Sequence, residues 1–223
     1  MSLVTDFSLY LVTDGRSAGV TSLSDVVKAA INGGVTIVQY REKNAGTAQM
    51  IRVATELHKI TRKYGVPLII NDRVDVALAV DAEGIHVGQD DMPAAIARKI
   101  IGQKRLLGVS VKTVKEALRA VKDGADYLGA GDIFGTTSKE DAGEAIGLEM
   151  VKKIAGSVNI PTVGIGGITK INAGSVIESG ADGIAVISAI IGKPDPNRES
   201  EELLKIIKRS KIKYQKSKTA VIK

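Results

Sequence analysis

The sequence contains no cysteine, which excludes disulfide bonds and thiolate metal sites and leaves the redox compartment open. Aromatic residues are only 3% of the 223 residues, whereas hydrophobic residues are 44%. A core that is rich in valine, isoleucine and alanine and poor in aromatics is typical of parallel strands covered by helices. This composition predicts a single α/β domain with an aliphatic core.

The sequence also lacks long apolar runs. None approaches the roughly 20 residues that a transmembrane helix needs. The N-terminus has no basic region followed by an apolar core, which is the pattern of a secretory signal. We therefore expect a soluble, cytoplasmic protein with no membrane partner.

Short apolar runs alternate with helical patterns along the whole chain. Eight strand–helix units predict a single (β/α)8 TIM barrel, with α/β class. A doubly wound sheet is the alternative, but the count of eight and the absence of an early GxGxxG favour the barrel. The strands are predicted at residues Ser8–Thr13, Thr36–Tyr40, Leu68–Ile70, Gly84–Val87, Leu106–Val109, Tyr127–Ala130, Thr162–Ile165 and Ile184–Ile187.

Two helices carry sequence signals for their N-termini. Ser22 and Asp25 are spaced like a capping box, with Asp in place of the usual Glu or Gln. Thr113 and Glu116 form a second capping box. The sequence therefore predicts a helix over Ser22–Asn32 and another that starts with Thr113.

The net charge of +6 belongs to the C-terminal segment. Lys205–Lys223 contains eight Lys or Arg residues and no Asp or Glu, and without them the net charge becomes −2. A basic tail can bind nucleic acid or acidic membrane, but it is more often a solvated, frayed terminus. We expect no nucleic-acid partner, and we divide the chain into a catalytic barrel over residues 1–210 and a basic tail over residues 211–223.

A glycine pair follows the predicted seventh strand. Without side chains, Gly166 and Gly167 let backbone N–H groups approach an anion closely, and the backbone at Ile187-Ser188 can add donors. In TIM barrels the loops after strands 7 and 8 often form such a phosphate cup. A tight turn without a ligand is the alternative that the glycines alone leave open.

Polar residues follow the other strands, where a barrel has its active-site mouth. The cations Arg41 and Lys43 suit phosphate groups. Asp72 and Asp91 follow neighbouring strands, and two carboxylates together with phosphate oxygens and water are common Mg²⁺ ligands. The loop after strand six adds three hydroxyls and a cation. The sequence thus predicts two polyanion sites and one magnesium site, with the loop residues being Thr136, Thr137, Ser138 and Lys139.

Each of these residues also has a structural interpretation. Arg41 and Glu42 can form a surface ion pair of little energetic value. Asp72 or Asp91 can cap a helix or pair with Arg73. The interpretation as a site depends on the whole set occurring at successive strand ends.

The two histidines are predicted to have no catalytic role. His86 alternates inside a strand, which favours packing in the core. His58 lies on a helix near Lys59 and Arg62, and we expect it on the surface.

From Leu9 to the ISAI segment at Ser188 the chain resembles the thiamine-phosphate synthase family. The motifs appear in the family's order and spacing, and together they are highly specific. The family is a (β/α)8 barrel that joins 4-amino-2-methyl-5-(diphosphooxymethyl)pyrimidine to 4-methyl-5-(2-phosphooxyethyl)thiazole, giving thiamine phosphate and pyrophosphate. The motifs are LYLVTD, QYREK, ND at Asn71, GIHVGQDD, GVS, TTSK, GIGGI and ISAI.

The resemblance implies roles for individual residues. It implies a Mg²⁺ cofactor on Asp72 and Asp91, small-molecule substrates and a homo-oligomer. It places the catalytic groups at Arg41, Lys43, Ser110 and Lys139. It places the pyrimidine diphosphate against Gln39, Tyr40, Arg41, Glu42, Lys43, Asn71, Ser110 and Lys139, and the thiazole phosphate against Thr136, Thr137, Ser138, Gly167, Ile187 and Ser188.

The chain departs from the family's pattern at three positions. Tyr40 replaces the usual Leu, and we expect it to point away from the mouth. Asp132 stands where Pro is usual, which bears on the rigidity of its loop, and Ser138 stands where Thr is common.

Two rival functions remain. The thiazole tautomerase, a related isomerase, lacks the Asp after Asn and has a His after the strand-five Ser, whereas this chain has Asp72 and Val111 there. A non-catalytic protein that binds phosphate or nucleic acid through the basic tail is the second, and a pure binder need not keep metal ligands. We therefore expect a synthase in which pyrophosphate leaves first and the thiazole nitrogen captures the resulting cation.

Overall fold

The computed structural model describes residues 5–14, 22–135 and 144–221, and its eight parallel strands form one closed barrel in the order β1 to β8. β1 pairs with β2 and also with β8, with Tyr10 opposite both Ile37 and Ala185. This closure confirms the (β/α)8 barrel and excludes the doubly wound sheet. The strands are β1 Leu9–Val12, β2 Ile37–Tyr40, β3 Leu68–Asn71, β4 Gly84–Val87, β5 Leu106–Val111, β6 Tyr127–Ala130, β7 Thr162–Ile165 and β8 Gly183–Val186.

A helix follows every strand and covers the outside of the barrel. Both predicted capping residues begin helices: Ser22 Oγ accepts the backbone N–H of Asp25 at 3.1 Å, and Thr113 Oγ1 accepts that of Glu116 at 3.2 Å. The helices are α1 Leu23–Asn32, α2 Thr47–Lys63, α3 Val74–Ala79, α4 Ala94–Ile101, α5 Val114–Lys122, α6 Gly147–Ser157, α7 Ala173–Glu178 and α8 Pro196–Val221.

Aliphatic side chains on the strands fill the core, as the composition predicts. The strand β3 is an example, since Leu68, Ile69 and Ile70 are fully buried. Two of the few aromatic residues, Tyr10 and Tyr127, are also fully buried, and their hydroxyls lie 2.8 Å apart. Because β1 and β6 are not neighbours in the sheet, this contact crosses the interior of the barrel.

The last helix, α8, carries most of the basic residues of the C-terminal segment. Its buried face includes Leu203 and Ile207, and it continues across residue 211. Beyond that point Lys211 Nζ donates to Ser8 Oγ at 2.7 Å, and Lys213 Nζ bonds Glu178 at 2.8 Å. These basic side chains therefore contact the barrel. No helix within the described ranges is both long and apolar enough to cross a bilayer.

The expected surface position of His58 is wrong. Its ring is 6% exposed, with Nδ1 2.9 Å from the Val80 carbonyl and Nε2 3.0 Å from Glu83 Oε1. Because Glu83 Oε2 also accepts the Leu68 backbone N–H, this contact ties α2 to the start of β3. The neighbouring charges in the sequence misled the prediction, since they lie on the exposed side of the helix.

Candidate active site at the barrel mouth

A cavity of about 640 Å³ lies at the C-terminal ends of the strands. Strands β4 to β8 and their loops provide most of its wall, together with Lys43 after β2. The other predicted residues of β2 and β3 lie in or directly after the C-terminal ends of those strands and are not part of this wall. The predicted site residues that line the cavity are Lys43, Asp91, Ser110, Gly167, Ile187 and Ser188.

The predicted metal ligands lie close to each other at this mouth. Asp72 follows β3, and its Oδ2 accepts a hydrogen bond from Lys43 Nζ at 2.6 Å. Asp91 follows β4, and its Oδ2 accepts the backbone N–H of Gly88 at 2.8 Å. Burial and the Asp91 carboxyl raise the pKa of Asp72 to about 6, and the Lys43 ammonium opposes this shift. The two carboxylates therefore interact across adjacent strands.

The alternative that these carboxylates cap helices is wrong. Arg73 is the N-cap of α3 and Pro93 that of α4, and neither helix has a side-chain cap. Pairing with Arg73 is also excluded as the main contact, because Arg73 Nε donates to Asp75 Oδ1 at 2.9 Å. Asp72 has a φ of +60°, a region that non-glycine residues rarely adopt and that recurs at functional sites.

The donor set fits a magnesium ion that depends on substrate for further ligands. Among the residues that the structure describes, no cluster of three or more His, Cys, Asp or Glu side chains is suited to hold a metal. Asp72 and Asp91 supply two carboxylates in a partly buried position, where their repulsion calls for positive charge. Mg²⁺ is commonly bound by one or two carboxylates plus phosphate oxygens and waters, which matches this arrangement.

The cationic segment, which runs from Gln39 at the end of β2 to Lys43, begins inside the barrel and ends at its surface. Gln39 points to the interior, so the next residue, Tyr40, points to the helix layer, which is the direction expected for it. Burial and then Glu42 raise the pKa of Tyr40 to about 12, so its hydroxyl stays protonated. Arg41 is 6% exposed, and its backbone N–H donates to Thr13 Oγ1 at 3.0 Å, whereas the Lys43 side chain is 40% exposed.

A chain of hydrogen bonds crosses the barrel from β2 to the cavity wall. Gln39 Nε2 donates to the Tyr10 hydroxyl at 2.9 Å, and that hydroxyl lies 2.8 Å from the Tyr127 hydroxyl. His86 joins them to the cavity, with Nδ1 3.1 Å from Tyr127 and Nε2 2.9 Å from Ser110 Oγ. His86 was predicted to serve packing; it is buried, and both ring nitrogens are hydrogen-bonded. Asn71, which is also buried, lies opposite His86 in the register of β3 and β4.

The glycine pair after β7 is required by packing as well as by conformation. Gly166 and Gly167 have φ values of +105° and +62°, which favour glycine. A Cβ atom at Gly166 would collide with the Asp132 carboxylate, and one at Gly167 would collide with the Gly135 carbonyl. The loop after β6 therefore lies directly on the predicted phosphate cup.

Asp132 is buried in the loop after β6. It is 7% exposed and lines the cavity. Within the described part of the chain, neither of its carboxylate oxygens has a hydrogen-bond partner. An unpaired buried carboxylate next to a phosphate cup is electrostatically unfavourable for both folding and anion binding.

Four residues of the predicted site lie outside the described residues: Thr136, Thr137, Ser138 and Lys139.

The cavity wall also includes residues to which the sequence assigned no role. Gln89 and Asp90 belong to the polar run after strand four that was expected at the mouth, and Gln89 Nε2 donates to the Ser110 carbonyl at 2.7 Å. Lys112 directly follows β5, which is the signal that would have found it, and Glu116 accepts its backbone N–H at 2.6 Å. Asp132 and Thr169 also line the cavity.

Comparison with known proteins points to one family. The family model described as "Thiamine monophosphate synthase" matches residues 9–190. The chain is 55% identical over 204 residues to a thiamine-phosphate synthase of Chloroflexus aurantiacus, covering 92% of this chain and 94% of that one. It is 54% identical to one of Clostridium tetani over 198 residues, covering 89% and 94%. The solved structure of a thiamine phosphate pyrophosphorylase from Pyrococcus furiosus has a TM-score of 0.85 at 44% identity, covering 93% of this chain and 98% of that one.

Proposed function

Because this chain belongs to the thiamine monophosphate synthase family, we propose that it is a transferase that makes thiamine phosphate. It joins 4-amino-2-methyl-5-(diphosphooxymethyl)pyrimidine to 4-methyl-5-(2-phosphooxyethyl)thiazole and releases pyrophosphate. The observation that carries this proposal is the meeting of Lys43, Asp72 and Asp91 beside a cavity that also has Ser110 in its wall.

The pyrimidine diphosphate binds on the side of β2 to β5. Arg41 and Lys43 neutralise the diphosphate, and Ser110 contacts the pyrimidine from the cavity wall. The backbone N–H of Arg41 donates to Thr13 Oγ1, which fixes the backbone position from which the Arg41 side chain extends. The remaining residues assigned to this substrate are Gln39, Tyr40, Glu42, Asn71 and Lys139.

The thiazole phosphate binds on the side of β6 to β8. Gly167, Ile187 and Ser188 line the same cavity as Ser110, which supports the binding of both substrates in one space. Backbone N–H groups at a glycine turn suit a phosphate. The hydroxyls assigned to this phosphate are those of Thr136, Thr137 and Ser138.

Asp72 and Asp91 would hold a Mg²⁺ ion between their carboxylates. When bound, the ion supplies positive charge that stabilises the leaving pyrophosphate. Lys43 Nζ donates to Asp72 Oδ2, which supports a role for this ammonium beside the carboxylate pair in binding the diphosphate.

The chemistry then needs positioning more than proton transfer. The 4-amino group of the pyrimidine donates electron density toward the exocyclic CH2, the bond from that carbon to the diphosphate oxygen breaks, and the electron pair leaves with pyrophosphate. The lone pair of the thiazole nitrogen forms the new carbon–nitrogen bond. Arg41, Lys43 and Lys139 bind the leaving group, while the cavity aligns the nitrogen with the carbon. No general base is required.

We assign small-molecule substrates as the partners of this protein, propose a homo-oligomer from the family resemblance, and place the reaction in the cytoplasm. Multiply charged phosphate esters cross a bilayer poorly, which supports an intracellular reaction. Light scattering of the purified protein and fractionation of cells test these two assignments.

The direct test is to incubate the protein with both substrates and Mg²⁺ and to measure thiamine phosphate and pyrophosphate. We expect equal amounts of both products. Omitting either substrate is the control. Failure of the folded, Mg²⁺-loaded protein to form thiamine phosphate would overturn the proposal.

A further inference from the structure

We infer that the chain Gln39–Tyr10–Tyr127–His86–Ser110 has one direction, which makes His86 a positioning residue that presents the Ser110 hydroxyl to the pyrimidine as a hydrogen-bond donor. The inference deepens the proposed function and rests on it for the identity of the substrate. The direction itself depends only on contacts inside the barrel.

The first bond fixes the direction of the next two. A side-chain amide nitrogen is a donor only, so the Tyr10 oxygen accepts from Gln39 Nε2. Tyr10 must then place its single proton elsewhere, and among the residues that the structure describes its other hydroxyl contact is Tyr127, at 2.8 Å. The Tyr127 proton is in turn left for His86 Nδ1, at 3.1 Å.

Neither tyrosine can interrupt the chain by losing its proton. Burial raises the pKa of Tyr10, with its hydrogen bonds to Tyr127 and Gln39 opposing the shift. Burial also raises the pKa of Tyr127 well above its ordinary value, assisted by the neighbouring Tyr10. Both phenols are therefore protonated at neutral pH, and each has a single hydrogen to donate.

The direction fixes the form of His86. Because Nδ1 accepts from Tyr127, the ring is neutral and carries its proton on Nε2. That N–H donates to Ser110 Oγ, which lies 2.9 Å away. Ser110 has then used an acceptor position toward His86, so its own hydrogen is available on the cavity side. Ser110 thus meets an acceptor atom of the pyrimidine as a donor, and His86 is unable to act as its general base.

The tautomer of His86 tests the direction without any substrate. The sequence has only two histidines, so uniform ¹⁵N labelling of histidine gives two ring systems, and the His58→Gln variant assigns them. At pH 7.5 we expect His86 to be neutral, with Nε2 protonated and Nδ1 unprotonated. Protonation on Nδ1, alone or together with Nε2, would show that the chain runs the other way.

Tyr127→Phe tests whether the chain acts through Ser110. It removes the donor to His86 Nδ1 while keeping the ring, so the Nε2–H tautomer should no longer be the single form. We expect kcat/KM for the pyrimidine diphosphate to fall about tenfold. In a Ser110→Ala background the same change should cost less than twofold, because coupled residues are non-additive.

Tyr64→Phe, a change of the same chemistry outside the barrel, is the matched control and should leave kcat/KM unchanged. Equal losses from Tyr127→Phe in both backgrounds would mean a merely structural role and would overturn the positioning assignment. If no thiamine phosphate forms at all, the proposed function fails, whereas the tautomer measurement still decides the direction of the chain.

Discussion

Lys43 Nζ lies 2.6 Å from Asp72 Oδ2, and this contact joins the cationic segment after β2 to the carboxylate pair after β3 and β4. The Lys43 side chain is 40% exposed and that of Asp72 is 17% exposed, so the pair lies at the rim of the mouth. An ion pair that solvent still reaches contributes little to stability. Its value here is that it places a cation beside two interacting carboxylates at the expected position of the leaving group.

Replacing Asp72 with Asn should lower kcat far more than it changes the KM for the thiazole phosphate. Negative charge develops on the leaving pyrophosphate in the transition state. The loss of a metal ligand should therefore act mainly by raising the activation free energy. We expect a cost of about 3 kcal/mol, roughly a hundredfold in kcat. EDTA should abolish turnover and Mg²⁺ should restore it.

Asp75→Asn is the control, because this exposed carboxylate pairs with Arg73 instead. It should leave kcat unchanged. Full turnover of the wild type in EDTA, or unchanged kcat in folded Asp72→Asn, would contradict the metal assignment.

The raised pKa of Asp72 predicts a pH effect on the metal-free protein. Its ordinary value is 3.8, and the folded protein raises it to about 6, chiefly through burial and Asp91. Between these values the folded state binds more protons than the unfolded state, so this group makes the free energy of unfolding fall as pH rises from about 4 to about 6. Urea unfolding in EDTA at pH 4.5 and pH 7 measures the free energy of unfolding of the wild type and of Asp72→Asn. The difference between the two proteins should depend on pH; a constant difference would refute the prediction.

The same shift makes Mg²⁺ binding depend on pH, because the proton and the metal compete for Asp72. Affinity should strengthen as pH rises through about 6. Titration calorimetry with Mg²⁺ and pyrophosphate at pH 5 and pH 7.5 checks the sign. Tighter binding at pH 5 would count against the two-carboxylate site.

Asp132→Asn should stabilise the protein and improve binding of the thiazole phosphate. The change removes a buried charge that has no hydrogen-bond partner in the described residues and that packs against Gly166. We expect a gain of about 1 kcal/mol in the free energy of unfolding and a lower KM for the thiazole phosphate than for the wild type. Urea unfolding and steady-state kinetics measure these quantities. Glu149→Gln on α6 removes the same charge from an exposed position and should do neither; equal effects from both variants would assign the change to net charge.

Ending the chain at Lys211 should cost stability but spare catalysis. The truncation removes the ion pair of Lys213 with Glu178 and the packing of Tyr214 on Gly180. Among the described residues, those that line the cavity end at Ser188, well before the truncation point. An exposed ion pair is worth at most about 1 kcal/mol, and kcat/KM should stay within about threefold. Thermal unfolding and kinetics of the truncated chain test this. A hundredfold loss of kcat/KM in folded protein would show that the C-terminal segment takes part in the reaction.

The sequence by itself determined the architecture and indicated which polar residues gather at the barrel mouth. The apolar runs placed all eight strands to within two residues, and the caps at Ser22 and Thr113 placed the starts of two helices. Both are local signals that extend over only a few residues. Polar residues at strand ends indicated the mouth because parallel strands bring their C-terminal ends to one face of the barrel.

Only the tertiary structure decided how distant side chains meet. Tyr10 and Tyr127 are 117 residues apart and lie on strands that do not pair, so no local period reports that their hydroxyls share a hydrogen bond. The same holds for the contact of His58 with Glu83, and for the packing of Asp132 on Gly166. Which side chains meet inside a barrel depends on the tilt and stagger of its strands, and these are set when the sheet closes on itself rather than by any single stretch of sequence.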